Sequence, residues 1–191
     1  IQFYGRHAME RNVQRIPAAH GAHVIGSRRG TSSHQYNPFV ILAEKETTED
    51  FGACYGMSFV YSGGFQAFAE RDQYDQTRMG MGISPEGFSW SLKPGESFTA
   101  PEVILSYTGK GLGELSLQYH RILRHNVCRG MYKEVRRPIL INNWEATYFD
   151  FNGNKIYEIA KQAAELGVEM LVLDDGWFGK RDDDNSGLGD W

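Results

Sequence analysis

The sequence is poor in the residues from which metal centres and disulfide frameworks are built. It contains two cysteines, Cys54 and Cys128, and neither has the CxxC spacing of a zinc or redox motif. Its six histidines show no HExxH pattern. We therefore expect no metal site and two free thiols. Free thiols favour a reducing compartment, which we take to be the cytoplasm.

Long apolar runs and an excess of positive charge are absent as well. No apolar run approaches the roughly 18 residues of a membrane span, and no signal-peptide pattern opens the chain. The net charge of −4, with dispersed arginines, leaves no basic patch for nucleic acid. The chain opens without an initiator methionine and closes without a stop signal, so we expect an internal fragment of a longer polypeptide.

The first half of the sequence has the pattern of β structure. Short strand-like stretches alternate with Gly, Pro, Asn and Asp, and this regular spacing predicts an antiparallel β-sandwich up to about residue 107. Gly63 and Gly64 separate two such stretches and predict a tight hairpin turn. The predicted strands lie at residues 22–25, 39–43, 54–61, 65–69, 97–100 and 103–107.

The second half alternates between helices and strands. Apolar residues at helical spacing predict an amphipathic helix over residues 113–125. Residues 139–141 and 168–173 predict buried strands. Between them, residues 155–166 predict a helix that begins at an asparagine cap and ends at Gly167. This β-α-β unit predicts a right-handed parallel crossover.

The most informative feature is the stretch MLVLDDGW, residues 170–177, in which a buried strand runs directly into Asp174 and Asp175. Removing a carboxylate from water costs several kcal/mol, so the pair must face water, a cation or a polyhydroxylated ligand. Ligands bind at the carboxyl ends of strands in parallel sheets. The other predicted strand ends near Trp144 and Glu145, which places acids and aromatic side chains at one edge.

Acids beside aromatic plates match a saccharide, whose hydroxyls donate to carboxylates and whose C–H face stacks on Trp144 or Trp177. Phosphate would instead call for Gly-rich loops and basic residues. For each tryptophan alone, packing between helices and sheet is an equally good interpretation, and Asp174 alone could simply cap a turn. Residues 182–187, DDDNSG, resemble the start of a calcium loop with serine at the fifth position, and we interpret them as a mobile polar loop over the pocket.

Taken together, the motifs resemble those of glycoside hydrolase family 36, the bacterial α-galactosidases. Several long strings in the same order make this resemblance more specific than any single motif. It implies an antiparallel β-supersandwich ending near residue 110, a linker helix over residues 111–137, and the first β-α-β unit of a truncated (β/α)8 TIM barrel over residues 138–191. The matching strings are SRRGTSSHQYNPF (residues 27–39), TEDFGACYGMSFVYSGGF (48–65), INNWEATYFDF (141–151) and LDDGWFGKRDDDNSGLGDW (173–191).

The resemblance also implies roles for single residues. Asp174 and Asp175 match the acid pair that holds the C4 and C6 hydroxyls of galactose, and Trp144 matches a tryptophan of the same pocket. His7, within GRHAMER, stands where members often have a sandwich-domain tryptophan that reaches toward substrate, and this departure bears on aglycone preference. The family's nucleophilic and acid/base aspartates match no residue here. We therefore expect this chain to supply substrate recognition and no catalytic residue.

The activity implied by the resemblance is removal of terminal non-reducing α-D-galactose from melibiose- and raffinose-type galactosides. It proceeds by a retaining double displacement without a cofactor. Relatives are often tetramers, so a homo-oligomer is expected. An α-N-acetylgalactosaminidase, a galactosyl-transferring relative and a non-catalytic galactoside-binding or assembly fragment remain alternatives, because the pocket around C2 and the catalytic carboxyls lie outside this chain.

Overall fold

The computed structural model describes residues 1–190, so Trp191, the end of the last matching string, lies outside the described residues. The chain forms two compact units, Ile1–Cys128 and Arg129–Trp191. The first is built of antiparallel sheets and the second contains a parallel β-α-β unit, which confirms the predicted fold class. None of the helices within residues 1–190 is both long enough and apolar enough to cross a bilayer.

The first unit contains eight strands and one long helix. Helix α1 is extended by a π-helical turn, Leu123–Val127. The elements are β1 (Gln2–Arg6), β2 (Met9–Gln14), β3 (Gly21–Ser27), β4 (Tyr36–Ala43), β5 (Cys54–Phe59), β6 (Phe65–Arg71), β7 (Thr77–Ile83), β8 (Val103–Thr108) and α1 (Gly111–Ile122).

These strands form a larger and a smaller antiparallel sheet that pack face to face. The larger has the order β2-β1-β4-β5-β8 and the smaller the order β3-β6-β7. Phe59 from the larger sheet is buried with Ile25, Phe65 and Ala67 from the smaller sheet. Because alternate side chains of a strand point to opposite faces, each sheet contributes one face to this core.

Helix α1 covers the outer face of the larger sheet. Strand β4 alternates so that Val40 packs in the core between the sheets while Ile41 packs with the helix. Leu115 and Tyr119 lie one turn apart on α1, and Leu115 is only 1% exposed. The Tyr119 hydroxyl donates to the Ile104 carbonyl oxygen at 3.1 Å, and burial raises the pKa of Tyr119 to about 12. The predicted amphipathic helix is thereby confirmed.

Two sequence predictions in this unit are wrong. Gly63 and Gly64 form no hairpin, because β5 pairs with β4 and β8 whereas β6 pairs with β3 and β7. The glycines carry the chain from one sheet to the other, and a Cβ at Gly63 would lie 2.4 Å from the Tyr61 ring. Residues 97–100 are not a strand, because no neighbouring strand within the described residues pairs with their backbone.

The second unit confirms the predicted β-α-β arrangement. Strands β9 and β10 pair in parallel, with Leu171 opposite Ile141. The Asn152 side chain accepts from the Lys155 N–H at 3.0 Å and caps the main helix. That helix ends at Gly167, whose φ of +85° is the left-handed conformation of a helix-ending glycine. The elements are a 3₁₀ turn (Met131–Lys133), β9 (Leu140–Asn142), α2 (Trp144–Thr147), α3 (Gly153–Glu165) and β10 (Met170–Val172).

The amino ends of β9 and β10 are held together by one acidic side chain. Glu169 Oε2 accepts from the Ile139 N–H at 2.7 Å, and its Oε1 lies 2.5 Å from Arg136 Nη2. The Arg136 guanidinium and the Ile139 amide hold the pKa of Glu169 below its usual range. These contacts hold β9 and β10 in a register in which the carboxyl ends of the two strands lie at the same level. The predicted domain boundaries at residues 110 and 137 stay a prediction.

Candidate functional site

The carboxyl ends of β9 and β10 lie side by side. The Asn142 side chain donates to Asp174 Oδ2 at 2.5 Å. Asn143 is fully buried; its Oδ1 accepts from the Asp174 N–H at 2.8 Å and its Nδ2 donates to Thr147 Oγ1 at 2.9 Å. Two consecutive asparagines therefore join the strand ends, and the buried Asn143 side chain also pairs polar groups that burial would otherwise leave without partners.

The two carboxylates of the acid pair differ in the hydrogen-bonding capacity that they retain. An ionised carboxylate has about four acceptor sites. Asp174 uses one site on each oxygen, for the Asn142 side chain and for the Asp175 N–H. Asp175 accepts from the Gly176 N–H at 2.8 Å and from both Nε and Nη2 of Arg181. Asp174 therefore keeps about half of its acceptor sites for a ligand, and Asp175, with three donors already bound, keeps about one.

Arg181 is the buried centre of the segment that follows the acid pair. Its side chain is 4% exposed, and it holds Asp175 at distances of 2.7 to 3.1 Å. Nη1 donates to the carbonyl oxygens of Asp183 and Ser186 at 2.7 and 2.8 Å. Nη2 also reaches Asp184 Oδ1 at 3.2 Å. One cation thus connects both ends of residues 175–186.

This ion pair sets the charge state of the site. The Arg181 guanidinium lowers the pKa of Asp175 below its usual range, because the paired cation favours the ionised carboxylate. Asp175 in turn raises the pKa of Arg181. Asp175 and Arg181 are therefore both charged at neutral pH, and Asp175 presents a carboxylate, which only accepts hydrogen bonds.

An aromatic cluster adjoins the acids through two chains of contacts. Trp144 lies edge-on to Tyr148 and Phe149, with ring centroids 5.3 and 5.0 Å apart. The backbone N–H of Trp144 donates to Asn142 Oδ1, and Nδ2 of the same asparagine donates to Asp174. The Phe149 ring centroid lies 5.5 Å from the guanidinium carbon of Arg181. Trp144 is partly buried, so part of its surface stays available as an apolar plate.

The loop after α2 contains an unusual backbone conformation. Tyr148 has a φ of +48°, a region that side chains other than glycine rarely adopt. Its hydroxyl donates to Glu145 Oε2 at 3.1 Å, and this bond raises the pKa of Tyr148. Such strained residues are common near ligand sites, where the surrounding contacts hold them.

The remaining predicted residues lie apart from these contacts. Trp177 is 56% exposed and packs edge-on against Phe178. Glu145 is exposed on α2, and its Oε2 accepts from the Tyr148 hydroxyl. His7 belongs to the first unit, at the exposed turn between β1 and β2, where Glu10 Oε1 accepts from the Ala8 N–H at 2.9 Å. The second unit thus brings together Trp144, Asp174 and Asp175.

Residues 182–187 engage Arg181 instead of surrounding a cation site. The backbone carbonyls of Asp183 and Ser186, which a calcium loop would direct at the ion, accept from the guanidinium. Within residues 1–190, no group of three or more His, Cys, Asp or Glu side chains is placed to hold a metal ion. The thiols of Cys54 and Cys128 are both free, and Cys54 is buried.

A separate cavity of about 240 Å³ opens in the first unit. Its lining is largely apolar and includes Ile1, Ile25 and Met79 together with His20 and His23. None of the predicted site residues contributes to it. The cavity offers no acid pair and so lacks the chemistry of the second unit.

Sequence reasoning missed Arg181 and the two asparagines that position the acids. The signal for Asn142 and Asn143 is present in the sequence, because adjacent amides at the end of a strand that is predicted to be buried need partners. Arg181 stands beside three aspartates in KRDDD, where a solvated charge run is the ordinary interpretation. Its burial depends on the fold of the segment and leaves no local pattern.

Two family models together match almost the whole chain. The model of the glycosyl hydrolase family 36 N-terminal domain matches residues 1–93, and the Melibiase model matches residues 97–191. The bifunctional alpha-galactosidase/sucrose kinase AgaSK of Mediterraneibacter gnavus is 62% identical over 191 residues, which are 100% of this chain and 20% of that protein. Alpha-galactosidase AgaA of Geobacillus stearothermophilus is 53% identical over 100% of this chain and 26% of its own length.

Solved structures give the same picture. The galactosidase domain of AgaSK superposes with a TM-score of 0.96 at 63% identity, covering 100% of this chain and 26% of that one. A variant of AgaA from Geobacillus stearothermophilus, solved in complex with raffinose, superposes with a TM-score of 0.95 at 53% identity over the same shares. The chain therefore spans about a quarter or less of the length of these relatives.

Proposed function

Because the chain belongs to glycoside hydrolase family 36, we propose that its residues work within a longer α-galactosidase, called the intact enzyme below. The intact enzyme removes terminal non-reducing α-D-galactose from galactosides of the melibiose and raffinose type by a retaining double displacement. Variants of AgaA solved with raffinose and with stachyose support this substrate class. In this proposal the present chain supplies galactose recognition.

The acid pair at the end of β10 is the observation that carries the proposal. Asp174 and Asp175 place carboxyl oxygens that accept hydrogen bonds at a sheet edge, and hydroxyl groups of a sugar are the matching donors. We assign them to the C4 and C6 hydroxyls of galactose. The C4 hydroxyl is axial in galactose and equatorial in glucose, so a carboxylate directed at it selects between the two sugars.

The partly buried ring of Trp144 supplies the apolar side of the same pocket. Its edge-on contacts with Tyr148 and Phe149 fix its plane, because neighbouring aromatic rings prefer this arrangement. A fixed indole presents a flat surface to the C–H face of the sugar. Acceptors and an aromatic plate together match a saccharide better than a phosphate, which would need basic donors.

The chemical step is assigned to carboxyls outside this chain. Retention needs a nucleophile and an acid/base carboxyl about 5–5.5 Å apart on either side of the glycosidic bond. The ion pair with Arg181 holds Asp175 in place. The Asp175 N–H and the Asn142 side-chain amide orient Asp174. In this proposal neither residue attacks the sugar or transfers a proton. Both act as fixed acceptors.

The proposal is tested by the hydrolysis of an aryl α-galactoside and an aryl α-glucoside by the intact enzyme. Galactoside-selective turnover, with raffinose and melibiose also cleaved and the α-anomer of galactose released first, is the expected result. Equal turnover of both glycosides would refute the assignment of the acid pair to the C4 hydroxyl. No turnover of either by folded protein would refute the activity.

His7 is proposed to contact the part of the substrate beyond galactose. The residue is exposed on the β1–β2 turn, and the family resemblance implies a tryptophan at this place in many members. Replacing His7 by Trp is expected to alter kcat/KM for raffinose and stachyose relative to melibiose, with galactose inhibition unchanged. Equal changes for all three substrates would contradict an aglycone role.

A homo-oligomer in the cytoplasm completes the proposal. The two free thiols support a reducing compartment, because exposed Cys128 would be prone to oxidation elsewhere. Light scattering of the purified intact enzyme measures the oligomer, and cell fractionation measures the compartment. A monomer, or activity confined to the culture medium, would contradict the respective part.

A further inference from the structure

Arg181 is a buried cation to which the proposed function gives no role. Its guanidinium has five N–H groups in a planar fork. Nε and one N–H of Nη2 bond Asp175, the other N–H of Nη2 reaches Asp184, and Nη1 donates to the carbonyls of Asp183 and Ser186. Every donor therefore has an acceptor, which is the condition for burying such a charge without a large penalty.

The space around this guanidinium is shaped to hold it. A Cβ at Gly187 would lie 3.2 Å from Arg181 Cβ and Cδ, so only glycine fits there easily. Gly176 has a φ of +91°, and a Cβ there would lie 2.9 Å from the Phe149 ring and 3.3 Å from the Arg181 carbonyl oxygen. The Phe149 ring lies beside the guanidinium itself. Two glycines and one aromatic ring thus close the segment around a single side chain.

Arg181 is unable to contact a sugar directly. Its side chain is 4% exposed and all of its donors are used within the chain. Any effect on a ligand must pass through the groups that it holds. The most direct of these groups is Asp175, whose side chain is 22% exposed and whose two carboxylate oxygens both accept from Arg181. Without these hydrogen bonds, the Asp175 carboxylate could rotate and the acid pair would lose its fixed arrangement.

We propose that Arg181 is the positioning residue of the acid pair: with residues 183–186 closed around its guanidinium, it fixes the Asp175 carboxylate in the single arrangement that receives galactose. This inference rests on the proposed function. Lysine is a poor replacement, because one ammonium cannot hold a carboxylate through two nitrogens and also reach two carbonyls on the other side. The acid pair therefore depends on the shape of the guanidinium as well as on its charge.

The first test compares Arg181→Met, Arg181→Lys and Lys180→Met in the intact enzyme. Lys180→Met is the matched control, because it removes the same charge from the exposed neighbouring position. Arg181→Met is expected to raise KM for an aryl α-galactoside by roughly tenfold to a hundredfold while kcat changes far less, since binding far from the reacting carbon is lost. Arg181→Lys should resemble Arg181→Met, and Lys180→Met should resemble the parent enzyme.

A purely structural role would give a different pattern. Arg181→Met would then lower the unfolding temperature and the active fraction, but the folded fraction at 25 °C would keep the parent KM. An unchanged KM, or an equal rise in Lys180→Met, would overturn the proposal. Near-parent KM in Arg181→Lys would show that charge alone suffices and would overturn the requirement for the guanidinium fork.

The second test asks whether Arg181 acts through Asp175. If it does, Arg181→Met should raise KM far less in an Asp175→Asn background than in the parent, because the carboxylate to be positioned is already absent. Additive rises in KM would mean that Arg181 acts through another group, and they would overturn the proposed action through Asp175.

Hydrogen exchange separates failure of this proposal from failure of the proposed function. Amides of residues 176–187 should exchange faster in Arg181→Met than in Lys180→Met, whatever the enzyme hydrolyses. If the intact enzyme hydrolyses no galactoside but this exchange difference appears, the substrate assignment fails and the positioning of the segment stands. If galactoside turnover is normal and the exchange is unchanged, the positioning role fails alone.

Discussion

Asp174 and Asp175 are neighbours in sequence with different surroundings, and their substitution should separate binding from stability. Asp174→Asn keeps the shape of the side chain but replaces one acceptor oxygen with a donor. Because a hydrogen bond to a charged group is lost, we expect KM for an aryl α-galactoside to rise roughly tenfold to a hundredfold. The unfolding temperature should change little, because no buried charge is left unpaired.

Asp175→Asn should instead reduce stability as well as binding. It leaves the Arg181 guanidinium buried without its main anion, and breaking a buried pair from one side is strongly destabilising. Calorimetry and steady-state kinetics on both variants measure the contrast. Equal loss of stability in the two variants would contradict the finding that Arg181 pairs with Asp175 and not with Asp174.

At the scale of residues, the acids and the tryptophan proposed to bind the sugar are easier to predict from sequence than the residues that support them. Asp174, Asp175 and Trp144 follow from charge and aromatic character at strand ends. Asn143 could have been found, since an amide after a buried strand needs partners, but its bond to the Asp174 N–H depends on the neighbouring strand. Arg181 could not be found, because its acceptors come from several turns of one irregular segment.

At the scale of elements, helix α1 offers a test of the packing in the first unit. Leu115 is 1% exposed on the sheet-facing side, whereas Leu117 is 48% exposed on the other. Leu115→Ala should lower the free energy of unfolding of this chain by about 2–5 kcal/mol, through lost burial and the cavity left behind. Leu117→Ala, the same chemical change, should cost about 0.5 kcal/mol or less. Urea unfolding measures both, and similar losses would contradict the burial.

The segment after β10 should respond to pH through its ion pair. Arg181 depresses the pKa of Asp175 in the folded chain, so the pair contributes stability above the ordinary aspartate pKa of about 4. That contribution is lost as the pH falls through the depressed value and Asp175 takes up a proton. The difference in unfolding temperature between the parent and Arg181→Met should therefore be full at pH 7 and shrink below about pH 4.

Lys180→Met is again the control for this pH dependence. Its difference from the parent should be small at both pH values, because Lys180 lies exposed beside the buried pair. An Arg181→Met difference that stays constant between pH 7 and pH 3 would mean that the guanidinium stabilises the segment through its carbonyl contacts and not through Asp175.

Elements that depend on local pattern were predicted, and those that depend on a distant partner were not. Helix α3 has its asparagine cap and terminal glycine in the sequence, and both act as predicted. Gly63 and Gly64 were predicted to form a hairpin turn, but they carry the chain between sheets, because only pairing with β3 and β7 decides that β6 joins the other sheet. Residues 97–100 have strand-like composition and no pairing partner among the described residues.

At the scale of the molecule, the chain joins a recognition surface to a β-sandwich within about a quarter of a typical relative's length. The parallel pair β9–β10 has three residues in each strand, and within residues 1–190 its sheet contains no further strand. A (β/α)8 barrel needs eight strands before its carboxyl ends surround a substrate. In the proposed intact enzyme, the acids of this chain would form one part of a rim that other strands complete.

We expect residues 1–191 alone to bind galactose weakly at best and not to hydrolyse an aryl α-galactoside, whereas the intact enzyme does. Retaining hydrolysis requires two facing carboxyls, and the acid pair is already engaged as acceptors by the guanidinium and the backbone. The measurement is release of the aryl group by both proteins at equal concentration, with folding of the shorter one checked by circular dichroism. Turnover by the folded short chain that is lost in Asp174→Asn would place a catalytic carboxyl in the acid pair. The division between recognition and chemistry would then be wrong, and the role of Arg181 would extend to the reacting group itself.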